Sequence, residues 1–229
     1  MKFNLLILLI LTFIMPPAFA EGVSLGATRL IYPADKSQTA IKIFNNDKKN
    51  NFLVQSWVTD KQGNKVDDFI VTPPLFVLNA NTDSVLRIVY AGDKNKLPND
   101  REELFYFNAK VIPSLSKEEQ ELNNSLLVSI TTKIKLFIRP NDLNSEASDA
   151  AKTLACQLNG KTLQIKNTSP YYVNMVNVSI NNKEVSKAET IAPFGNVSIA
   201  IKSSGSEIKY SFINDYGVQV NNNTCKLKS

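Results

Sequence analysis

The stretch from Ser125 to Ile138 sets Leu126, Val128, Ile130, Ile134, Leu136 and Ile138 on one parity. Successive side chains of an extended chain point to opposite faces. These six therefore line one side of a strand, and Ser129, Thr131, Lys133 and Lys135 line the other. At about 3.3 Å per residue the run spans roughly 46 Å, where a strand of five or six residues is usual. Two readings are open. The segment is a long core strand of a large sheet, or part of it is an undefended apolar edge that pairs with another chain, since proteins normally blunt such edges with charge, proline or cover.

The first 20 residues read as an export signal, with Lys2 as the positive start, an apolar run from Leu5 to Met15, and Ala18-Phe19-Ala20 as the cleavage site. The run is too short to span a bilayer, so a mature chain starting at Glu21, with no membrane insertion, is expected. Of 229 residues, 229 − 20 = 209 remain, enough for two domains of about 100 or one large one. Cys156 and Cys225 are the two cysteines, and in an exported protein an even pair reads first as a disulfide; two buried free thiols are the alternative. Lys and Arg number 26 against 21 Asp and Glu, and are scattered among the acids, which gives nucleic-acid binding little support. The chain contains no histidine. That removes the commonest general base and the usual zinc or copper ligand, so neither an enzyme nor a metal or other cofactor site is expected.

From Ser24 onward the chain alternates short β-branched and aromatic segments with turn-forming clusters. The segments are Ser24 to Tyr32, Thr39 to Phe44, Phe52 to Thr59, Phe69 to Thr72, Leu75 to Leu78, Ser84 to Tyr90 and Leu104 to Ile112; the turns include Asn45-Asn46-Asp47 and Gln62-Gly63-Asn64. With the long strand they make an immunoglobulin-like sandwich. Lys117 to Leu122 is the one helix-like patch. Arg139-Pro140-Asn141-Asp142 ends the first set, because proline cannot continue a central ladder. Asn144 to Lys152 reads as linker. A second, smaller sandwich follows, with strands at Leu154 to Leu158, Thr162 to Lys166, Tyr172 to Ile180, Val197 to Ile201, Ile208 to Ile213 and Val218 to Cys225, so that a bridge from Cys156 to Cys225 ties its first strand to its last. The expected division is 1–20 signal, 21–141 first domain and 142–229 second domain.

Three stretches in order resemble the periplasmic pilus chaperones of the PapD-like family. They are 97–114 (Leu-Pro-Asn-Asp-Arg-Glu-Glu-Leu-Phe-Tyr-Phe-Asn-Ala-Lys-Val-Ile-Pro-Ser), Thr132 to Pro140, and Ile213-Asn214-Asp215-Tyr216-Gly217. Thr28-Arg29 and Thr72-Pro73-Pro74 match as well. Glu103 and Ala109 depart mildly from the family pattern.

The resemblance implies an all-β protein of two immunoglobulin-like β-sandwich domains in a boomerang arrangement. Such a chaperone works in the periplasm, binds pilus or fimbrial subunits that lack their last strand, caps them by donor-strand complementation, and passes them to an outer-membrane usher. Carried over residue by residue, the donated side chains are Leu126, Val128 and Ile130. Arg29 and Lys135 receive the subunit's C-terminal carboxylate. Glu102, Arg139 and Asp215 form an interdomain charge network, and Pro73 and Pro74 a segment that gates subunit exchange. The short connection from Pro113 to Leu126 resembles the short-loop subclass. Whether the free chaperone also self-associates through its exposed strand is left open by the sequence. The competing reading is a secreted pilus subunit or adhesive β-sandwich protein, to which the same export signal and strand content belong.

Overall fold

The computed structural model describes residues 22–114, 127–202 and 205–227. The export segment, the Lys117 to Leu122 patch and Leu126 lie outside the described residues. The described residues are almost entirely β, in 16 strands. The first nine are β1 (Val23–Leu25), β2 (Arg29–Pro33), β3 (Thr39–Asn45), β4 (Phe52–Thr59), β5 (Phe69–Thr72), β6 (Leu75–Leu78), β7 (Asp83–Tyr90), β8 (Glu103–Pro113) and β9 (Ile130–Arg139). They form a four-stranded sheet in the order β1-β3-β7-β5 and a five-stranded sheet in the order β2-β9-β8-β4-β6. Between the two sheets lies a core of Leu30, Tyr32, Ile41, Ile43, Leu86, Phe107, Leu136 and their neighbours. Its buried Tyr32 hydroxyl donates to the Ser37 carbonyl and accepts from the Tyr90 amide, so that hydroxyl is buried without losing its hydrogen bonds.

The expected strand from Ser24 to Tyr32 is two strands in different sheets. β1 pairs with β3, whereas β2 runs parallel to β9. The chain crosses over at Gly26, whose amide donates to the Lys42 carbonyl at 2.8 Å and where a Cβ would press within 3.3 Å of the Lys42 Cβ. The long strand is also shorter than its alternation suggests. β9 starts at Ile130, where its pairing with β8 ends at Val111, while the last residue of β8, Pro113, pairs only with Phe52 on β4. Lacking an N–H, proline cannot extend that ladder.

The remaining strands are β10 (Ala155–Asn159), β11 (Thr162–Lys166), β12 (Val173–Ile180), β13 (Lys183–Ile191), β14 (Asn196–Ala200), β15 (Ile208–Ile213) and β16 (Gln219–Leu227). They follow one hydrogen-bonded order, β13-β12-β15-β16-β10-β11-β14, wrapped around a second core that includes Leu163, Ile165, Met175, Val178, Ile208 and Tyr210. The two cores share no residue.

Two features of this half differ from expectation. β13 occupies a stretch that reads as connection, because the sequence KEVSKAETI is charged and has only Val185 and Ile191 as large apolar residues. It is an edge strand, where charge blocks pairing with other chains. Its hairpin with β12 turns on Asn181 and Asn182, at φ 47° and 62°, the two positive φ angles that a tight two-residue turn requires. The supposed linker contains helix α1 (Ala147–Ala150) and a 3-10 turn (Ala151–Thr153). Ala150 and Ala151 are buried in the second core, and the Ser145 and Ala151 carbonyls accept the Tyr171 and Tyr210 hydroxyls. A helix this short has no intrinsic stability, so packing against the second sandwich supports it.

Cys156 and Cys225 form a disulfide that closes a separation of 69 residues within the second unit. In the chain-entropy account such a loop contributes up to about 4 kcal/mol. Replacing both cysteines with alanine should therefore lower the denaturation midpoint of the second unit. The first unit contains the chain's one tryptophan, Trp57. Its fluorescence transition in urea should shift less than the far-UV circular dichroism transition; coincident shifts of equal size would contradict a bridge that acts locally.

Candidate functional site

β9 divides its two faces between two tasks. Ile134, Leu136 and Ile138 enter the first core, and the odd positions point away from it. Lys135, Phe137 and Arg139 on that outer face all meet the second unit. Phe137 breaks the polar alternation of its face because its ring packs on Tyr172, with centroids 5.4 Å apart.

Arg139 joins the two units. Its Nε donates to Glu102 Oε1 at 2.7 Å, and its two terminal nitrogens donate to the two Asp215 oxygens at 2.7 and 3.1 Å. Glu102 is 2% exposed, and its second oxygen accepts the Tyr172 amide at 2.7 Å. The Arg139 guanidinium also lies 5.0 Å over the Tyr171 ring. Burial pushes the Glu102 carboxyl above the ordinary range, while Arg139 and the Tyr172 amide pull it back. Arg139 is held above the usual arginine range: burial works against its charge, but the Asp215 hydrogen bonds and the nearby Glu102 and Asp215 charges more than offset it.

The loop that delivers Asp215 is fixed by its own residues. Asn214 Oδ1 accepts the Tyr216 and Val218 amides. Gly217 sits at φ 79°, where a Cβ would collide with the Thr28 hydroxyl of the first unit. The structure thus brings Glu102, Arg139 and Asp215 together as the matched motifs imply. A cleft of about 480 Å³ at the junction is lined by these three with Phe137, Tyr172 and Asn174 among others.

Arg29 and Lys135 are register partners in the parallel pairing of β2 with β9, so their side chains leave the sheet side by side. Both are met by uncharged groups of the second unit. Arg29 donates to the Ile213 carbonyl at 3.1 Å, and its buried Nε has no hydrogen-bond partner. Lys135 Nζ donates to Asn174 Oδ1 and, at 2.6 Å, to Thr190 Oγ1. Among the described residues neither cation forms an ion pair. Burial, and secondarily the Arg29 charge, push the Lys135 ammonium down to about 8. Burial also lowers Arg29, with the Asp215 charge opposing. Asn174 and Thr190 escape a reading of the sequence. Asn174 is one of three polar residues in its strand, with Asn177 and Ser179, and is not singled out by the pattern; Thr190 has no signal either.

β2 begins at Arg29, so Ile130 to Ile134 are paired on one side, to β8, and among the described residues no strand covers the other side. Val128, just before β9, is 58% exposed and Ile130 67%. Pro73 and Pro74 carry the chain from β5 in one sheet to β6 in the other, and the Pro74 carbonyl accepts the Ser56 amide at 2.9 Å. Among the described residues no group of three or more His, Cys, Asp or Glu is placed to hold a metal, and no helix is long and apolar enough to cross a membrane.

Two sandwiches are locked by an ionic triad around the buried Glu102, and among the described residues an open sheet edge ends at paired cations. Residues 22–144 match the N-terminal domain of the pili and flagellar-assembly chaperone PapD, residues 149–224 match the C-terminal domain of the pili assembly chaperone PapD, and the chain belongs to this family of pilus-assembly chaperones. It is 39% identical over 219 residues to the probable fimbrial chaperone SfmC of Escherichia coli strain K12, covering 94% of each chain. The chaperone protein FimC of the same strain is 40% identical over 197 residues, which is 86% of this chain and 80% of FimC. The Salmonella enterica SafB chaperone, solved in complex with the SafA pilin, superposes with a TM-score of 0.80 at 31% identity, over 92% of this chain and 99% of SafB.

Removing Arg139 strands a buried carboxylate. Arg139→Met should cost about 3 to 5 kcal/mol in chemical denaturation. Asp215 is 38% exposed, and Asp215→Asn should cost about 1 kcal/mol or less. The double variant Arg139→Met/Glu102→Gln should lose less than the sum of the singles, because the second change removes the stranded charge. Strict additivity would contradict a shared network.

Proposed function

We propose that this chain is a periplasmic chaperone that captures pilus or fimbrial subunits by donor-strand complementation and delivers them to an outer-membrane usher. The observation that carries the reading is the ladder of Ile130 to Ile134, one-sided among the described residues, which ends at Arg29 and Lys135, two half-buried cations that form no ion pair among those residues. A subunit strand added at that edge gains backbone hydrogen bonds. Its C-terminal carboxylate meets charge-assisted donors at the cleft, which are stronger than neutral ones. Val128 and Ile130 have the parity of Ile134 and Leu136, so the face that fills the chaperone's own core continues outward to fill the subunit's. Leu126 is assigned to the same row by parity.

In this reading 1–20 is the export signal, and 21–141 and 142–229 are the working domains. The triad of Glu102, Arg139 and Asp215 sets the angle between them, and Pro73 and Pro74 gate subunit exchange.

Tagged protein recovered from periplasm should carry a smaller subunit in a one-to-one complex. Arg29→Ala and Lys135→Ala should be folded and empty; normal subunit recovery with either would overturn the anchor. Val128→Asn or Ile130→Asn should weaken capture roughly tenfold or more, since each forfeits roughly 1.5 to 3 kcal/mol of apolar burial. Ser129→Asn, on the opposite parity, should be tolerated. Equal loss at Ser129 and Val128, with both variants folded by circular dichroism, would overturn the register.

A further inference from the structure

The empty anchor holds a cation under unusual conditions. Lys135 faces Arg29 from β2, the Tyr106 phenol from β8, and the neutral oxygens of Asn174 on β12 and Thr190 on β13. Its nearest same-face neighbours on β9 are Lys133 and Phe137. The carboxylates nearby are committed elsewhere: Glu102 and Asp215 to Arg139, and Glu189 to the Ser186 hydroxyl. Arg29 cannot shed its charge, since guanidinium stays protonated in proteins. Of two adjacent, half-buried cations that form no ion pair among the described residues, the lysine is therefore the one that can yield its proton.

We propose that capture at this anchor is proton-linked: the second domain, through Asn174 and Thr190, holds Lys135 beside Arg29 without an ion pair, so that in alkaline solution it is an amine that takes up a proton from water as a carboxylate enters. This rests on the carboxylate-binding reading of Arg29 and Lys135. The balance is simple, with one amine, one proton from solvent and one carboxylate giving an ammonium–carboxylate pair and no other bond made or broken.

The sign follows from linkage. In the empty cleft the lysine titrates at about 8, and an anion at hydrogen-bond distance raises that value. Affinity is therefore nearly constant below this pH and falls above it, because the proton must then be drawn from a more dilute supply. Asn174 is the specific restraint. Asn174→Asp supplies an internal anion of the same shape, which should keep Lys135 protonated and occupy the donors that a ligand needs.

The test uses the full mature chain and an N-acetylated peptide of alternating valine and threonine, with either a free C-terminal carboxylate or a C-terminal amide. Titration calorimetry in two buffers of different ionisation enthalpy counts protons. The free acid should bind roughly tenfold more weakly at about pH 9 than at about pH 7, with close to one proton taken up per complex at the higher pH. The amide should show neither effect. Lys135→Arg should abolish the fall and the uptake, and Asn174→Asp should flatten the profile while lowering the preference for acid over amide.

A free acid preferred at pH 7 with a flat profile and no proton uptake would overturn this proposal while leaving the carboxylate anchor standing. Equal binding of acid and amide at pH 7 would overturn the anchor itself.

Discussion

The alternation of β9 is the constraint on which the rest of the molecule depends. A strand has two faces and two edges, and β9 commits three of the four. Its even face builds the first core, its odd face builds the contact with the second domain, and one edge is hydrogen-bonded to β8 along its length. The fourth is shared: from Lys135 onward β2 covers it, and from Ile130 to Ile134 it is open among the described residues. An open edge is normally a liability. Here it stops at the register where Arg29 and Lys135 project together. The crossing of the chain at Gly26 decides this, since it sends β1 to the other sheet and lets β2 begin only at Arg29.

The odd face of β9 explains why the two sandwiches meet in one way. Phe137 contributes apolar contact with Tyr172, but apolar packing alone tolerates sliding. Arg139 removes that freedom, because its planar donors fit carboxylates from both domains at once. A buried ion pair is a weak source of net stability, since desolvation offsets most of the attraction. Its effect here is on geometry, and the surroundings of Arg29 and Lys135 depend on it. Ile213, Asn174 and Thr190 reach Arg29 and Lys135 from the second domain, so a change in angle would alter how both cations are held.

The first domain was largely legible in the sequence, because its strands alternate cleanly and are bounded by turn residues. The second was less so at β13, whose edge position selects charged side chains and hides the period. The Asn181-Asn182 pair marks that hairpin and is the signal to look for in such a stretch. α1 was illegible for another reason: four residues carry no helical period, and the hydrogen bonds that hold its flanks at Ser145 and Ala151 come from Tyr171 and Tyr210, distant in the chain.

The sequence by itself determined the all-β class, the parity that separates Val128 and Ile130 from Lys135, the pairing of the two cysteines, and, through its matched motifs, the family. Those properties are local, or reside in residue identity, and periodicity and spacing carry them directly. Tertiary structure decided where β9 is covered and where it is open, that Arg29 and Lys135 are neighbours, and that Asn174 and Thr190 hold the lysine. These depend on register between strands far apart in the chain and on the meeting of two separate cores, and a one-residue slip would change every pairing while leaving the alternation intact.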